Sequence, residues 1–165
     1  MTLSSLNFQQ SASVNAPDTI RQLAERMLER GIRPELEVFD LGMANFLRVL
    51  LKENKVMAPL YVNVLLGNVA GAQADALALA AITAALPSEA IVSIAGIGRS
   101  QLGANALGLV LGDGVRVGLE DNVWLDTART QPASNAMLVN RTIRMATELE
   151  RPLMTRSKLR EMLAL

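Results

Sequence analysis

Short apolar runs alternate along this chain with longer segments whose apolar residues recur at helical spacing. The apolar and alternating runs predict β-strands, and the segments spaced by three or four positions predict helices between them. The predicted strands cover residues 5–8, 34–40, 60–67, 90–95 and 115–120, and the predicted helices cover residues 15–31, 43–54, 74–86, 101–111, 134–150 and 156–163.

The first predicted helix shows the local signals clearly. Asn15 is the expected N-cap, Pro17 suits the first turn, and Gly31 is expected to end the helix. Thr155 is the expected cap of the last helix. One face of the first helix is expected to be buried through its apolar residues, which are Ile20, Leu23, Ala24, Met27 and Leu28.

The order of these elements predicts an α/β fold built from about five βα units and a terminal helix. Strands that alternate with helices form parallel sheets with right-handed connections. An open dinucleotide-binding sheet has a glycine-rich turn after its first strand, but QQSASVNAP, which follows residues 5–8, contains no glycine. A complete (β/α)8 TIM barrel needs about 250 residues. We therefore expect residues 1–165 to be a single domain, the C-terminal part of a (β/α)8 barrel lacking the N-terminal strands.

The composition narrows the possible functions. Sixteen basic residues balance sixteen acidic ones, which gives no electrostatic footprint for nucleic acid or an anionic membrane. The chain contains no cysteine and no histidine, so it holds no disulfide and no histidine-based triad or zinc site of its own. MTLSSLNFQQ does not resemble a signal peptide, and no apolar stretch reaches the ~20 residues of a membrane span. We expect a cytoplasmic protein.

The stretch VRVGLEDN, residues 115–122, carries the clearest candidate chemistry. Alternation along a strand places Arg116, Gly118 and Glu120 on one face, with the glycine leaving space between the charges. Glu120 would end the strand and Asp121 would begin the loop, where a metal or substrate is held in a barrel. Two simpler interpretations stay open, an ion pair between Arg116 and Glu120 or a solvated turn at residues 120–122.

Two further segments are candidate binding sites. Gly98 and Arg99 directly follow a buried strand, so the loop backbone and the arginine could bind an anion. A glycine-containing turn with nothing bound explains the same pattern. Glu35 and Glu37 share one face of the second predicted strand, where they could bind a metal or a substrate, or could merely be polar positions at its start.

Three stretches resemble the β-keto acid cleavage enzyme family, which includes 3-keto-5-aminohexanoate cleavage enzyme. They are SIAGIGRSQLGANALGLVLGDGVRVGLEDNVWL, SNAMLVNRTIRMATELERPLMTRSKLREMLAL and PELEVFDLGM. The resemblance implies a zinc-dependent (β/α)8 barrel that condenses a β-keto acid with acetyl-CoA and releases acetoacetate and a new acyl-CoA. It further implies that Glu120 is a zinc ligand, that Arg116 stabilises anionic intermediates, that Asp121 takes part in proton transfer, and that Glu35 or Glu37 contacts substrate.

The chain departs from the family in its metal ligands. The family binds Zn²⁺ through two histidines of an HxH motif and one glutamate, and this chain has no histidine. Catalytic zinc sites usually have three protein ligands, so Glu120 supplies one third of a site. We expect the isolated chain to be incomplete as an enzyme and to form a homo-oligomer or pair with an N-terminal half-barrel chain. The alternative is a non-catalytic truncated paralogue or assembly module.

Overall fold

A computed structural model describes all residues, 1–165. It contains six strands and six α-helices, with a short 3₁₀ turn at Gly98–Ser100. The strands are β1 (Leu6–Asn7), β2 (Ala12–Ser13), β3 (Glu35–Val38), β4 (Leu60–Leu66), β5 (Ala90–Gly96) and β6 (Gly114–Val115). The helices are α1 (Pro17–Glu29), α2 (Leu41–Lys52), α3 (Ala76–Ala85), α4 (Gln101–Leu111), α5 (Asn135–Glu148) and α6 (Arg156–Met162).

The predicted α/β fold is confirmed as a four-stranded parallel sheet in the order β3-β4-β5-β6. Each strand is joined to the next through a helix, as parallel pairing requires. Because side chains alternate along a strand, one face of the sheet carries aliphatic residues that pack against the helices. The buried residues on this helix-covered face include Leu36, Val38, Val62, Val64 and Ile94.

The opposite face of the sheet carries polar side chains in register. Glu37 of β3 pairs with Asn63 of β4, Asn63 pairs with Ser93 of β5, and Ser93 pairs with Gly114 of β6. We call this the inner face, because it faces away from the covering helices. A row of polar residues across parallel strands is not expected from core packing alone, and it places the candidate site on this side.

Side-chain caps begin most of the helices. Asp40, Asp75, Ser134 and Thr155 each accept a hydrogen bond from the backbone three residues later, so the cap predicted at Thr155 is confirmed. The cap predicted at Asn15 is wrong. Ala16 occupies that position, and the amide of Asn15 instead donates to Ser4 O at 3.2 Å and Ser13 Oγ at 3.3 Å, which ties α1 to the preceding hairpin.

The stripe predicted on α1 is only partly buried. Ile20 and Ala24 pack into the core, whereas Leu23 and Leu28 are exposed. Helical spacing correctly places these residues on one face of α1, but only part of that face is buried in the core. None of the six helices combines the length and the hydrophobicity that spanning a bilayer requires. The predicted cytoplasmic location stays a prediction.

The prediction that residues 5–8 form a strand of the parallel sheet is wrong. β1 pairs antiparallel with β2 in a separate two-stranded sheet. The place beside β3 is taken by Thr2, which forms one parallel bridge with Glu37. The hairpin is held against the sheet because Asn68 Nδ2 donates to Asn7 O at 2.9 Å. Four parallel strands are therefore present, rather than five.

The strand predicted over residues 115–120 is also too long. β6 ends at Val115, although Arg116 N still donates to Ile94 O of β5 at 3.0 Å. The chain then turns, because the backbone N–H groups of Asp121 and Asn122 both donate to Gly118 O. Apolar alternation alone does not reveal this turn. The turn changes the directions in which the charged side chains point.

Candidate functional site

Arg116 is the centre of a cluster of charged side chains on the inner face. Its Nε and Nη2 donate to the two carboxylate oxygens of Asp121 at 3.1 and 3.2 Å. Its Nη1 donates to Glu37 Oε1 at 3.0 Å, and its Nη2 also donates to Glu120 Oε2 at 2.9 Å. Glu37 and Arg116, 79 positions apart in the sequence, are thereby joined at the carboxyl end of the sheet.

The two glutamates of β3 play different structural parts. Glu37 contacts Arg116 directly, and its second oxygen accepts from Thr2 Oγ1 at 2.6 Å. Glu35 Oε1 lies 3.8 Å from Arg116 Nη1, beyond hydrogen-bonding distance, and accepts instead from Asn63 Nδ2. The expectation that both share one face is confirmed by their register. Their role in binding substrate stays a prediction.

Asp121 and Glu120 are neighbours in sequence but lie in different surroundings. The side chain of Asp121 is 3% exposed, whereas that of Glu120 is 83% exposed. Burial raises the pKa of the Asp121 carboxyl, and its hydrogen bonds to Arg116 act in the opposite direction. Burial also works against the charge of Arg116, but the hydrogen bonds to Asp121 and Glu37 leave its pKa raised. The cluster thus combines a permanent cation with a buried carboxyl whose proton affinity is increased.

Two buried amides hold the turn that carries Asp121. Asn105 Nδ2 donates to Ile94 O at 3.3 Å and to Arg116 O at 3.0 Å. Gln101 Nε2 donates to Gly118 O at 3.2 Å, so α4 supports both ends of the segment. The sequence reasoning missed these residues. The sequence does contain an indication of their role. The predicted helix QLGANALGLVL is otherwise apolar, and amide side chains buried in such a helix must find hydrogen-bond partners.

The inner face also contains two polar atoms without hydrogen-bond partners. Asn63 Oδ1 and Ser93 Oγ are fully buried and unpaired, and their residues are direct register partners. Leaving buried polar groups unpaired is costly, so core packing alone does not explain these two side chains on the inner face. Asn63 was not singled out from the sequence, although a lone asparagine in the strand LYVNVLL is an unusual residue for a buried position.

A groove of about 410 Å³ lies at the carboxyl ends of β4 and β5, next to the cluster. It brings the second predicted site, Gly98 and Arg99, together with Glu120 and Asp121. Gly98 N donates to Asp121 O at 2.7 Å, so this N–H is not free to bind an anion as the loop pattern predicts. The Arg99 side chain lines the groove and is exposed. The Gly98 N–H is therefore excluded as an anion donor, and Arg99 contributes through its side chain.

The residues present do not form a zinc site. No group of three or more histidine, cysteine, aspartate or glutamate side chains is arranged to hold a metal ion. Glu120, the ligand expected from the resemblance, has one oxygen hydrogen-bonded to Arg116, and zinc sites are built mainly from nitrogen and sulfur ligands that this chain does not contain. No chemical step is therefore assigned to a metal bound by residues 1–165 alone.

Comparison with known proteins identifies relatives over nearly the whole chain. A 3-keto-5-aminohexanoate cleavage enzyme from Fusobacterium nucleatum is 36% identical over 152 residues, which are 92% of this chain and 55% of that protein. A 3-oxoadipate:acetyl-CoA acetyltransferase from Cupriavidus necator is 35% identical over 164 residues, 98% of this chain and 57% of that protein. The chain thus spans about half the length of the curated relatives it matches.

The fold has a counterpart among solved structures. The apo structure of ObcA superposes with a TM-score of 0.80 at 20% identity, covering 100% of this chain and 43% of that one. This similarity supports the α/β architecture with its parallel sheet. The sequence profile of the β-keto acid cleavage enzyme family matches residues 1–165 in full. The resemblance first indicated by VRVGLEDN is confirmed, and the chain belongs to the β-keto acid cleavage enzyme family.

Proposed function

We propose that residues 1–165 form the carboxyl-terminal part of a (β/α)8 barrel and carry part of its active site. The reaction is condensation of a β-keto acid with acetyl-CoA, followed by cleavage to acetoacetate and a new acyl-CoA. One observation carries this proposal: the Arg116 guanidinium joins Glu37, Glu120 and Asp121 at the carboxyl end of the sheet. Barrel enzymes place their catalytic groups at this end of the strands.

Arg116 is the group that binds negative charge in the proposed site. Four hydrogen bonds to three carboxylates occupy its guanidinium, which has five N–H groups. Glu120 is the exposed partner, so a substrate anion reaches Arg116 most easily by displacing that carboxylate. A guanidinium beside a site that excludes water stabilises the charge that develops on an enolate or an alkoxide.

Asp121 is the group that moves a proton. Its raised pKa favours accepting a proton at a carboxylate oxygen, while Arg116 keeps the carboxylate oriented. Glu37 is fixed by Arg116 and Thr2, whereas Glu35 is about half exposed and can contact the substrate's distal part. A zinc ion, which the family resemblance implies, needs at least two ligands besides Glu120, and no step here depends on it.

The proposal is tested by restoring the rest of the barrel. The purified chain is mixed with the N-terminal part of the F. nucleatum relative, and acetoacetate release from a β-keto acid and acetyl-CoA is measured. We expect release only from the mixture, and a loss on the order of 100-fold with Asp121→Asn, which cannot accept the proton. Asp18→Asn, at an 89% exposed side chain on α1, is the matched control and should retain full activity. A mixture that associates but releases no acetoacetate would contradict the proposal.

A second candidate, a non-catalytic assembly module, is favoured by the edges of the sheet. β6 is the edge strand on one side, and only the single bridge at Thr2 covers β3 on the other. Unpaired strand edges and exposed apolar side chains recruit partners. Leu23 and Leu153, at 48% and 64% exposure, are examples of such side chains.

Size-exclusion chromatography with metal analysis tests the association directly. Both proposals predict that the purified chain elutes as a homo-oligomer, or as a complex once an N-terminal half-barrel is added, because the edges must be covered. We expect zinc well below one equivalent in the chain alone, and a rise towards one equivalent only in an active mixture. Zinc that stays absent from an inactive complex favours the assembly module. A monomer with one tightly bound zinc would contradict both.

A further inference from the structure

Two arginines without ion-pair partners lie together at the groove beside the charged cluster. Arg99 and Arg129 both line it, and neither guanidinium takes part in a hydrogen bond or a salt bridge. Arg129 Nη2 lies 3.5 Å from the position that a Cβ atom would occupy at Gly98. Gly98, which precedes Arg99, has no side chain, and the Arg129 guanidinium lies in the space beside it.

The loop that carries Arg129 is held in one conformation. The Asp126 carboxylate accepts hydrogen bonds from the backbone of Thr130 and Gln131 and from the Thr130 hydroxyl, at 2.7 to 3.2 Å. These bonds lower the pKa of Asp126, with the Gln131 backbone contributing most. From the other side, Arg141 donates to Leu125 O at 2.5 Å and so ties the loop to α5. Arg129 is thus presented to the groove by a fixed loop.

No acidic side chain nearby forms a salt bridge with either of these two arginines. Asp126 is occupied by its own loop, and Asp121 and Glu120 are bound to Arg116. The groove therefore presents two guanidinium groups whose N–H donors have no carboxylate partner, next to the carboxylates of the proposed catalytic site. Two guanidinium groups at one place are well suited to a group with several anionic oxygens, because each can donate two parallel hydrogen bonds to it.

We propose that Arg99 and Arg129 bind the diphosphate of coenzyme A. This inference rests on the proposed function, because acetyl-CoA is the co-substrate of that reaction. The diphosphate lies at the rim over Gly98, and the pantetheine arm runs along the groove towards Arg116 and Asp121. Arg129 is the new element of the site, since the sequence pattern pointed only to Gly98 and Arg99.

Coenzyme binding can be measured without any activity. Trp124, the only tryptophan of the chain, lines the same groove, so its fluorescence reports on occupancy. Titrations of the full chain with coenzyme A, ADP, pantetheine and acetoacetate are followed by this signal and by isothermal titration calorimetry. We expect coenzyme A and ADP to bind with saturation, and pantetheine, which lacks the diphosphate contacts to both arginines, to bind about 100-fold more weakly than coenzyme A.

Variants identify the residues responsible. We expect Arg99→Ala and Arg129→Ala each to weaken coenzyme A and ADP binding by about tenfold while leaving pantetheine unchanged. Arg129→Lys should lose less, because the charge is kept but the planar fork is not. Arg48→Ala, an exposed arginine on α2, is the matched control and should bind like the unmodified chain.

Three results would overturn the assignment: no saturable binding of coenzyme A, unchanged coenzyme A affinity in both alanine variants, or an arginine-dependent signal with acetoacetate but not with ADP. The last would make the pair a site for a substrate carboxylate. These outcomes are separate from those of the acetoacetate assay. Tight arginine-dependent coenzyme binding in an inactive mixture would disprove the proposed reaction and leave this site intact.

Discussion

Arg116→Met is expected to lower the free energy of unfolding by about 3 kcal/mol, because it leaves buried carboxylates without their cation. The side chains of Arg116, Asp121 and Glu37 are 19%, 3% and 24% exposed, so the pairing is largely but not wholly shielded from water. We therefore place the effect at the lower end of the range for broken buried ion pairs. Urea unfolding followed by circular dichroism at neutral pH measures it.

The pH dependence of this loss provides an independent check. Without Arg116, the hydrogen bonds that oppose the raised pKa of Asp121 disappear, so that pKa rises further. The loss of stability in Arg116→Met is therefore fully present at pH values where the Asp121 carboxyl is ionised. It shrinks as the pH falls through the pKa of Asp121 in the folded protein, because a protonated carboxyl needs no cation. A deficit that is the same in acid and at neutral pH would contradict the electrostatic explanation.

Two variants separate the loss of the ion pairs from the loss of side-chain bulk. Arg116→Lys keeps a charge but cannot donate to several carboxylates at once, so we expect an intermediate loss. In Arg116→Met combined with Asp121→Asn, the second change should cost much less than it does alone, because the interaction is already gone. An Arg116→Met protein as stable as Arg48→Ala, within about 0.5 kcal/mol, would show that the cluster does not stabilise the fold.

The central strands and helices could be predicted because their sequence patterns agree with their burial. LYVNVLL is almost continuously apolar, and β4 is covered on the helix side and largely buried on the inner face. The helix predicted over residues 101–111 has those bounds in the structure, since polar residues start it and a glycine follows it. Local signals and tertiary packing favour the same conformation in these segments.

The short segments could not be predicted, because their conformation depends on distant partners. Residues 5–8 look like any short strand, and only the contact between Asn7 and Asn68 and the pairing with β2 reveal a hairpin. The end of β6 depends on the amides of Gln101 and Asn105, which bond the backbone on either side of the turn. A pattern of alternating residues contains no information about hydrogen bonds from another helix.

The sequence predicted which residues belong to the candidate site, but not how they are arranged. Alternation placed Arg116 and Glu120 on one face and Asp121 outside the strand. In the structure the turn after Gly118 reverses these positions, so that Asp121 is buried against Arg116 and Glu120 is exposed to solvent. The contact with Glu37 depends on where β3 lies relative to β6, which are separated by two strands in the sheet. Charge and spacing identify candidates, but the turn decides which carboxylate is buried.

Gly96→Ala is the second change for which we expect a large effect, a loss of about 3 kcal/mol in the free energy of unfolding. A Cβ atom at Gly96 would lie 2.6 Å from both Gln101 Cα and Ser100 O, and 2.7 Å from Ala104 Cβ. Two of these atoms belong to the backbone, so no rotation of a side chain relieves the clash. β5 and the start of α4 must move apart, and thermal or urea unfolding measures the cost.

The same displacement should reach the groove, because α4 supports the turn through Gln101 and Asn105. Gly103→Ala is the matched control, and its expected effect has the opposite sign. Gly103 is exposed within α4, and no atom lies within 4 Å of the position that its Cβ atom would occupy. There alanine favours the helix, so we expect a gain of about 0.5–1 kcal/mol. Opposite signs for the two substitutions would show that the close approach of β5 to α4 at Gly96, rather than the exchange of glycine for alanine as such, causes the loss of stability. Equal losses at both positions would contradict this.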